Sequence, residues 1–160
     1  MEFELHDVKF NYEYGNVYRC HHLKKGDVWK EIKITYWEGN GYKCFEFRVS
    51  NKRYNFKLHR LIYWLHNPDW DIFDSSMENH IDHIDGDKLN NNIENLRLVT
   101  NQENQWNRTK AKGYSRCKNS KKWRADIRLN CKNIYLGLFD KEVDAHNAYL
   151  DAKKKYHIIK

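Results

Sequence analysis

The chain has 160 residues, with 29 Lys and Arg against 22 Asp and Glu, for a formal net charge of +7. Hydrophobic residues make up 40% and aromatics 15%, enough to fill a core and to exclude wholesale disorder. The charge is unevenly placed: residues 1–65 carry +4, residues 66–107 carry −7 and residues 108–160 carry +10. That asymmetry points to a polyanionic partner for the last third and to different chemistry in the middle.

The length allows one domain or a few small modules, since domains cluster at about 100–150 residues. The longest apolar run, Leu61 to Leu65, falls far short of the ~20 residues of a membrane span, so no membrane partner is expected. Met1 to Asp7 is acidic and lacks a signal peptide's apolar stretch, so a cytoplasmic protein is expected. The cysteines at 20, 44, 117 and 131 form no Cys-x-x-Cys pair. No structural zinc is therefore expected, and the thiols read as idle groups in a reducing compartment. Cys20-His21-His22 is a possible ligand cluster, but neighbours on a strand point to opposite faces, which favours a surface reading.

Residues 29–57 read as strands. Ile32, Ile34 and Tyr36 alternate with polar neighbours, Gly39-Asn40-Gly41 marks a turn, and Phe45, Phe47 and Val49 alternate with Cys44, Glu46 and Arg48. Leu58, Leu61, Ile62 and Leu65 then follow helical spacing, and Asn67-Pro68 ends that helix. Residues 69–79 read as a loop. Ile81 to Ile84 is a short strand, Asp85-Gly86-Asp87 a turn and Leu96 to Val99 a second strand. Thr100 with Glu103 three residues on is a capping box opening a helix. In the last third, Trp123, Ala125, Ile127 and Leu129 alternate with Arg124, Asp126 and Arg128. Ile134, Leu136 and Leu138 alternate with Tyr135, Gly137 and Phe139. A helix capped by Asp140 follows, with Val143, Ala145, Ala148, Tyr149, Ala152 and Tyr156 as its apolar stripe. The unit inferred there is a small sheet packed on one helix.

The middle segment carries chemistry. Asp82-His83 puts a carboxylate beside an imidazole, and the chain returns through an Asn-rich loop to a helix bearing Asn104. Asp82 and Asn104 each offer one oxygen to a hard cation such as Mg²⁺, which keeps waters and completes its shell with phosphate. His83 points away from Asp82 along a strand, and an imidazole there suits a general base facing a water. The Asn95 oxygen is a candidate to fix its tautomer.

Asp82-His83, the Asp-Gly-Asp turn, the Asn-rich loop, Asn95-Leu96-Arg97 and Asn104 together resemble the HNH nuclease motif. Leu58-His59-Arg60-Leu61-Ile62 resembles the segment preceding that motif in phage homing endonucleases. The likeness covers about residues 40–108. It implies a ββα-metal finger that hydrolyses a DNA phosphodiester, with Asp82 and Asn104 on Mg²⁺ or Mn²⁺, His83 as base and Asn95 as its orienter. It also implies a phage-encoded protein acting in the host cytoplasm. Asn104 stands where many members have a second histidine. Asp85-Gly86-Asp87 is not a calcium loop, because position 12 is Ile93 counted from Asp82 and Leu96 counted from Asp85. His59 reads either as a helix-surface residue or as a phosphate contact. His80 reads either as structural or as lying on the phosphate side.

Residues 108–132 hold ten basic residues and one acidic residue, which predicts salt-sensitive binding to a polyanion. They include Arg108, Lys110, Lys112, Arg116, Lys118, Lys121, Lys122, Arg124, Arg128 and Lys132. If the apolar face of the sheet packs on the helix, Arg124, Asp126 and Arg128 line the open face, where Arg reads guanine and an acid accepts from cytosine. Gly113-Tyr114-Ser115-Arg116, Trp123 to Arg128, Tyr135 to Phe139 and the alanine-rich helix resemble the plant Apetala, or ethylene-response-factor, DNA-binding domain over about residues 112–156. That likeness implies a three-stranded sheet in the major groove, with Tyr135 on its reading face. Ser115 departs from an arginine common there.

The expected fold class is α+β: a β-rich region over 1–57, a nuclease core with its preceding helix over 58–110, and a three-stranded antiparallel sheet packed on one helix over 111–160. The expected function is a metal-dependent, site-specific endonuclease acting on double-stranded DNA as a monomer or homodimer. DNA contacts are expected from Arg60, Arg116, Lys118, Lys121, Lys122, Arg124, Asp126, Arg128 and Tyr135, with additions from Lys30, Lys33, Lys43, Arg48, Lys52 and Arg53. The alternative is a DNA-binding regulator with an inactive HNH motif, and a weaker third class is a structural RNA-binding protein.

Overall fold

The computed structural model describes residues 1–39, 41–108 and 111–159. Asn40, at the centre of the predicted turn, and Lys110, in the basic cluster, lie outside the described residues. The chain divides into two compact units, Met1–Ser75 with Ile81–Arg97 and Ser76–His80 with Leu98–Lys160.

The first unit opens with an antiparallel meander of β1 (Glu2–Leu5), β2 (Val8–Glu13), β3 (Asn16–Leu23) and β4 (Gly26–Ile32). A second sheet holds β5 (Thr35–Trp37), β6 (Tyr42–Val49) and β7 (Lys52–Lys57). The single strand expected through Ile32, Ile34 and Tyr36 is thus broken after Ile32, and its halves join different sheets. The turn prediction holds at its ends, where Trp37 pairs with Tyr42 and the Gly41 amide donates to the Trp37 carbonyl at 2.8 Å. Helix α1 (Leu58–His66) lays Leu58, Leu61 and Ile62 against the sheets. Phe10, Phe45, Leu5, Leu61 and Val17 are sealed from solvent in the same core. The helix stops at Asn67, whose amide and side chain both donate to the Tyr63 carbonyl, and Pro68 cannot continue it. Arg60 reaches from α1 to the following loop, donating to the carbonyls of Ile72 and Asp74 at 2.8 Å each and stacking over Trp70 at 4.6 Å.

Strands β8 (His80–His83) and β9 (Leu96–Val99) pair as a two-stranded sheet, with a 3₁₀ turn at Ile93–Asn95 between them in sequence. Helix α2 (Asn101–Trp106) starts with the predicted capping box. Thr100 Oγ1 accepts from the Glu103 amide at 3.2 Å, and Glu103 accepts from the Thr100 amide at 2.9 Å.

The second unit holds β10 (Tyr114–Arg116), β11 (Trp123–Leu129), β12 (Lys132–Phe139) and helix α3 (Glu142–Tyr156). The three strands form one antiparallel sheet in chain order. Ile127, Tyr149 and Ala152 centre its core, flanked by Ile134, Leu136 and Tyr156. Ala125 and Ile127 are buried while Arg124 and Arg128 are exposed, so β11 alternates as predicted. β12 does not. Ala125 pairs with Gly137 but Asp126 with Tyr135, so Leu136 is an extra residue in a bulge. Gly137 takes φ +138° there. The bulge reverses the facing beyond it, leaving Leu138 49% exposed and turning Phe139 inward.

Two further expectations are corrected on α3. Asp140 is not its cap; Lys141 holds that position without a side-chain cap, and Asp140 pairs with Lys122 at 3.3 Å. Val143 is 56% exposed, because at about 100° per residue it stands roughly 200° from Ala145, the start of the buried row Ala145, Tyr149 and Ala152.

Candidate active site

The site is built around His83 at the end of β8. Its backbone carbonyl accepts from the Gly86 amide at 2.9 Å, starting the Asp85-Gly86-Asp87 turn, and its side chain is 3% exposed. Tyr42 from β6 and His59 from α1 enclose the ring. His59 lies edge-on to it with centroids 5.0 Å apart, and Tyr42 is 4.8 Å from His59 and 6.1 Å from His83. Lys57 and Lys88 each place an ammonium 4.7 Å from the centroid of the Tyr42 ring. Cations therefore rim the half-buried Tyr42 ring beside two buried imidazoles.

His83 Nε2 is 2.9 Å from Asn91 Oδ1. An amide oxygen only accepts, so Nε2 carries the proton and the basic lone pair lies on Nδ1. Asn91 thus bonds the ring nitrogen of His83, while the described bonds of Asn95 run to the loop. The Asn95 amide nitrogen donates to Asp85 Oδ1 at 2.9 Å and to the Asn90 carbonyl at 2.8 Å, and its oxygen accepts from the Asp85 amide at 3.1 Å. The Asn95 carbonyl accepts from the Ile84 amide at 2.9 Å. Asn95 therefore ties the two ends of the loop together one residue beyond His83. Asn90 adds a bond to Asp85 Oδ2 at 2.7 Å. Bonds from Asn90, Asn95 and the Asp87 amide hold the Asp85 carboxyl below the usual carboxylate range.

His59 corrects a sequence reading. It is 4% exposed and so not a helix-surface residue. Burial first, then the neighbouring His83, Lys57 and Arg60, push its pKa down to about 2. It is a neutral wall beside His83. His80 enters β8 with a buried Nε2 that has no partner among the described residues.

Asp82 is 7% exposed, and its Oδ2 accepts from Arg97 Nη2 at 2.9 Å and Nε at 3.1 Å. This ion pair joins β8 to β9. Burial first, and then the Asp82 charge, raise the Tyr42 hydroxyl pKa. Asn104 stands on α2 in the second unit.

A buried imidazole with one nitrogen protonated by constraint, preceded by a buried carboxylate and followed by a knotted Asn-rich loop, is suited to taking a proton from water. Residues 56–106 match the HNH endonuclease family model. The match supports a DNA nuclease, and HNH nucleases generally use a divalent metal. A solved structure described as "DNA binding and cleavage by the HNH homing endonuclease I-HmuI" shares 29% sequence identity with a TM-score of 0.42. The likeness covers 62% of this chain and 50% of that one. The chain thus spans about half the length of that relative. No curated protein sequence matches. No helix among the described residues is long and apolar enough to cross a membrane.

The HNH match leaves the second unit's sheet outside its range. There Arg124 donates to both oxygens of Asp126 at 2.8–3.1 Å, and its guanidinium lies 5.3 Å from the centroid of the 55% exposed Tyr135 ring. Arg116 sits 6.0 Å from the Trp123 ring centroid. Arg128 is exposed on the same strand, and Lys118, Lys121 and Lys122 are exposed around the turn before it. Arg124, Asp126, Arg128 and Tyr135 thus occupy the face away from α3 and Lys118, Lys121 and Lys122 the adjoining turn, whereas Arg116 lies opposite Trp123 on the side of Ala125.

Two residues of this candidate cluster carried no sequence signal of their own. Asn91 is one of several asparagines in its loop, and Tyr42 comes from a strand with no motif.

Proposed function

We propose that the protein is a metal-dependent, site-specific endonuclease of the HNH homing type that hydrolyses a phosphodiester of double-stranded DNA. The observation that carries this reading is the buried His83 held by Asn91 beside the buried Asp82, inside the segment that matches HNH endonucleases. His83 Nδ1 takes the proton of a water as its oxygen bonds to phosphorus. The bond to the 3′ oxygen breaks, and that oxygen is protonated from solvent. Asn91 keeps Nε2 protonated through the cycle, and Asn95 keeps the loop closed.

The donor chemistry fits a hard cation. Asp82 and Asn104 are both oxygen donors, without a thiolate, which selects Mg²⁺ or Mn²⁺ over softer ions. An ion held by these oxygens would supply charge neutralisation at the scissile phosphate and the leaving oxygen. Arg97 holds the Asp82 carboxylate in place through Oδ2.

Capture of DNA is assigned to the sheet of the second unit, with Arg124, Asp126, Arg128 and Tyr135 on its open face and Arg116, Lys118, Lys121 and Lys122 at its edge, as an Apetala-like reader. Arg60 is proposed as a further DNA contact, and its Nη2 also ties α1 to the following loop through the Ile72 and Asp74 carbonyls. The functional regions are the β-rich residues 1–57, the nuclease core 58–110 and the reader 111–160. A monomer nicks one strand, and a double cut requires two copies or a second event.

Supercoiled plasmid incubated with Mg²⁺ or with EDTA tests the reading. Wild type should nick only with Mg²⁺, and His83→Ala should lose nicking while still binding DNA. Binding by the wild type without any metal-dependent nicking would instead establish the regulatory alternative.

A further inference from the structure

The β3–β4 hairpin brings together three side chains of a kind that bind metal. Cys20 and His22 lie two residues apart on β3 and so share a face. Register places Asp27 of β4 directly opposite His22. One ligating atom from each of Cys20, His22 and Asp27 lies within 4.8 Å of the other two. His22 Nδ1 is 2.6 Å from Asp27 Oδ1, and the Cys20 thiol also bonds the Asp27 carboxylate. The cluster combines a thiol, an imidazole and a carboxylate on one face of one hairpin.

We infer that Cys20, His22 and Asp27 form a structural Zn²⁺ site, distinct from the nuclease centre, with water as fourth ligand. Zn²⁺ takes S, N and O donors at about 2.3, 2.0–2.1 and 2.0–2.2 Å. Tetrahedral placement at those lengths sets the donors roughly 3.3–3.6 Å apart. Since the donors lie within 4.8 Å of one another, no pair has to close by more than about 1.3 Å to reach that spacing. The His22–Asp27 hydrogen bond opens as the ion takes the place of the bridging proton, and the thiol gives up its proton to become the thiolate ligand. A thiolate donor selects Zn²⁺ over Mg²⁺ or Mn²⁺, so the two sites do not compete for one ion.

The location explains what such an ion would do. β4 is the outer strand of its sheet, and six of its seven residues are exposed, so little apolar burial holds it. A metal joining β3 to β4 near the open turn fixes that edge. Lys9 is the opposing feature: its charge reaches both Cys20 and Asp27, whereas the Glu2 charge acts on Cys20 in the cation's favour. The sequence offered Cys20-His21-His22 as a possible ligand cluster, but the expectation against zinc rested on missing Cys-x-x-Cys pairs and Asp27 was not among the candidates. Here a hairpin register does the pairing.

The test uses the full-length protein stripped of metal and titrated with Co²⁺ as a coloured substitute, then with Zn²⁺ by calorimetry. The expected result is one Co²⁺ per chain with a thiolate-to-cobalt absorption band that Zn²⁺ displaces. Cys20→Ser should abolish the band. His22→Ala, at a 63% exposed side chain, should weaken Zn²⁺ binding by more than about tenfold without harming the fold, since even outer-shell partners cost ~10–100-fold. Asp82→Asn should leave the band intact. The proposal is overturned if wild type shows no thiolate band, if the band survives in Cys20→Ser, or if folded His22→Ala binds Zn²⁺ as wild type does.

Discussion

Acid should destabilise this protein through His59 in a way that a single substitution removes. The ring is 4% exposed between Tyr42 and His83, and its pKa in the fold is about 2 against an ordinary 6.5. A histidine with a depressed folded value binds its proton in the unfolded chain first. The unfolded state therefore gains as pH falls below 6.5, and stability is lost down to about 2. The loss runs at about 1.4 kcal/mol per pH unit once well below the unfolded value. From about pH 7 to about pH 5 it amounts to about 2 kcal/mol. At pH 5 the folded ring is already unprotonated, so the unfolded value alone sets this size. Urea unfolding of wild type and His59→Phe at the two pH values measures it. Phe keeps an aromatic ring against Tyr42 and cannot titrate, and all other histidines cancel in the comparison. The variant's acid loss should be smaller by about 2 kcal/mol. Equal losses in the two proteins would refute the burial argument for His59.

Gly113→Ala should unfold or severely loosen the second unit, because φ is +68° and an added Cβ would overlap the Tyr149 ring. Overpacking alone costs about 1–3 kcal/mol, readable as a loss of hydrogen-exchange protection in α3. Thr100→Ala removes both the capping oxygen and its bond to Glu103, and should cost about 1 kcal/mol in thermal unfolding. Asn91→Ala should lower kcat and alter the pH profile of plasmid nicking by freeing the His83 tautomer, while substrate KM stays near wild type. An unchanged profile would remove Asn91 from its role.

Where residue type and spacing decide structure locally, the chain was readable. Thr100 and Glu103 announce a capping box, and Leu58, Leu61 and Ile62 announce the face that α1 buries. The Asp82-His83 pair, at the centre of the proposed site, stood out in the sequence as a carboxylate beside an imidazole. The misses share a different cause, which is geometry set by another part of the chain. The bulge that turns Leu138 outward depends on how β12 pairs with β11. The break after Ile32 depends on which sheet each half can join. The choice of Asn91 over Asn95 depends on which amide the folded loop presents to Nε2, and with several asparagines in a short stretch composition cannot rank them. His59 carries the same lesson, since helical spacing located its helix but not the two rings that bury it.

The charge partition of the chain also changes meaning once partners are named. The −7 of residues 66–107 set the middle apart as a segment with different chemistry. Most of those with described partners do something else. Asp85 caps the loop with Asn90 and Asn95, Asp87 accepts from the Leu89 amide, Asp71 from the Phe73 amide, and Glu103 closes the capping box. Only Asp82 is buried, and it faces Arg97. The acidity is therefore mainly turn-forming chemistry, with one carboxylate set aside. In the last third the opposite holds. Asp126 offsets Arg124 and Asp140 offsets Lys122, yet Arg128, Lys118 and Lys121 stand exposed on the open face or its turn. Their charge is the part available to phosphate. Arg128→Ala should reduce the slope of log binding constant against log salt by about 0.9 if it neutralises one phosphate. His83→Ala should leave that slope unchanged. A slope that follows His83 and not Arg128 would move DNA capture from the sheet to the nuclease centre.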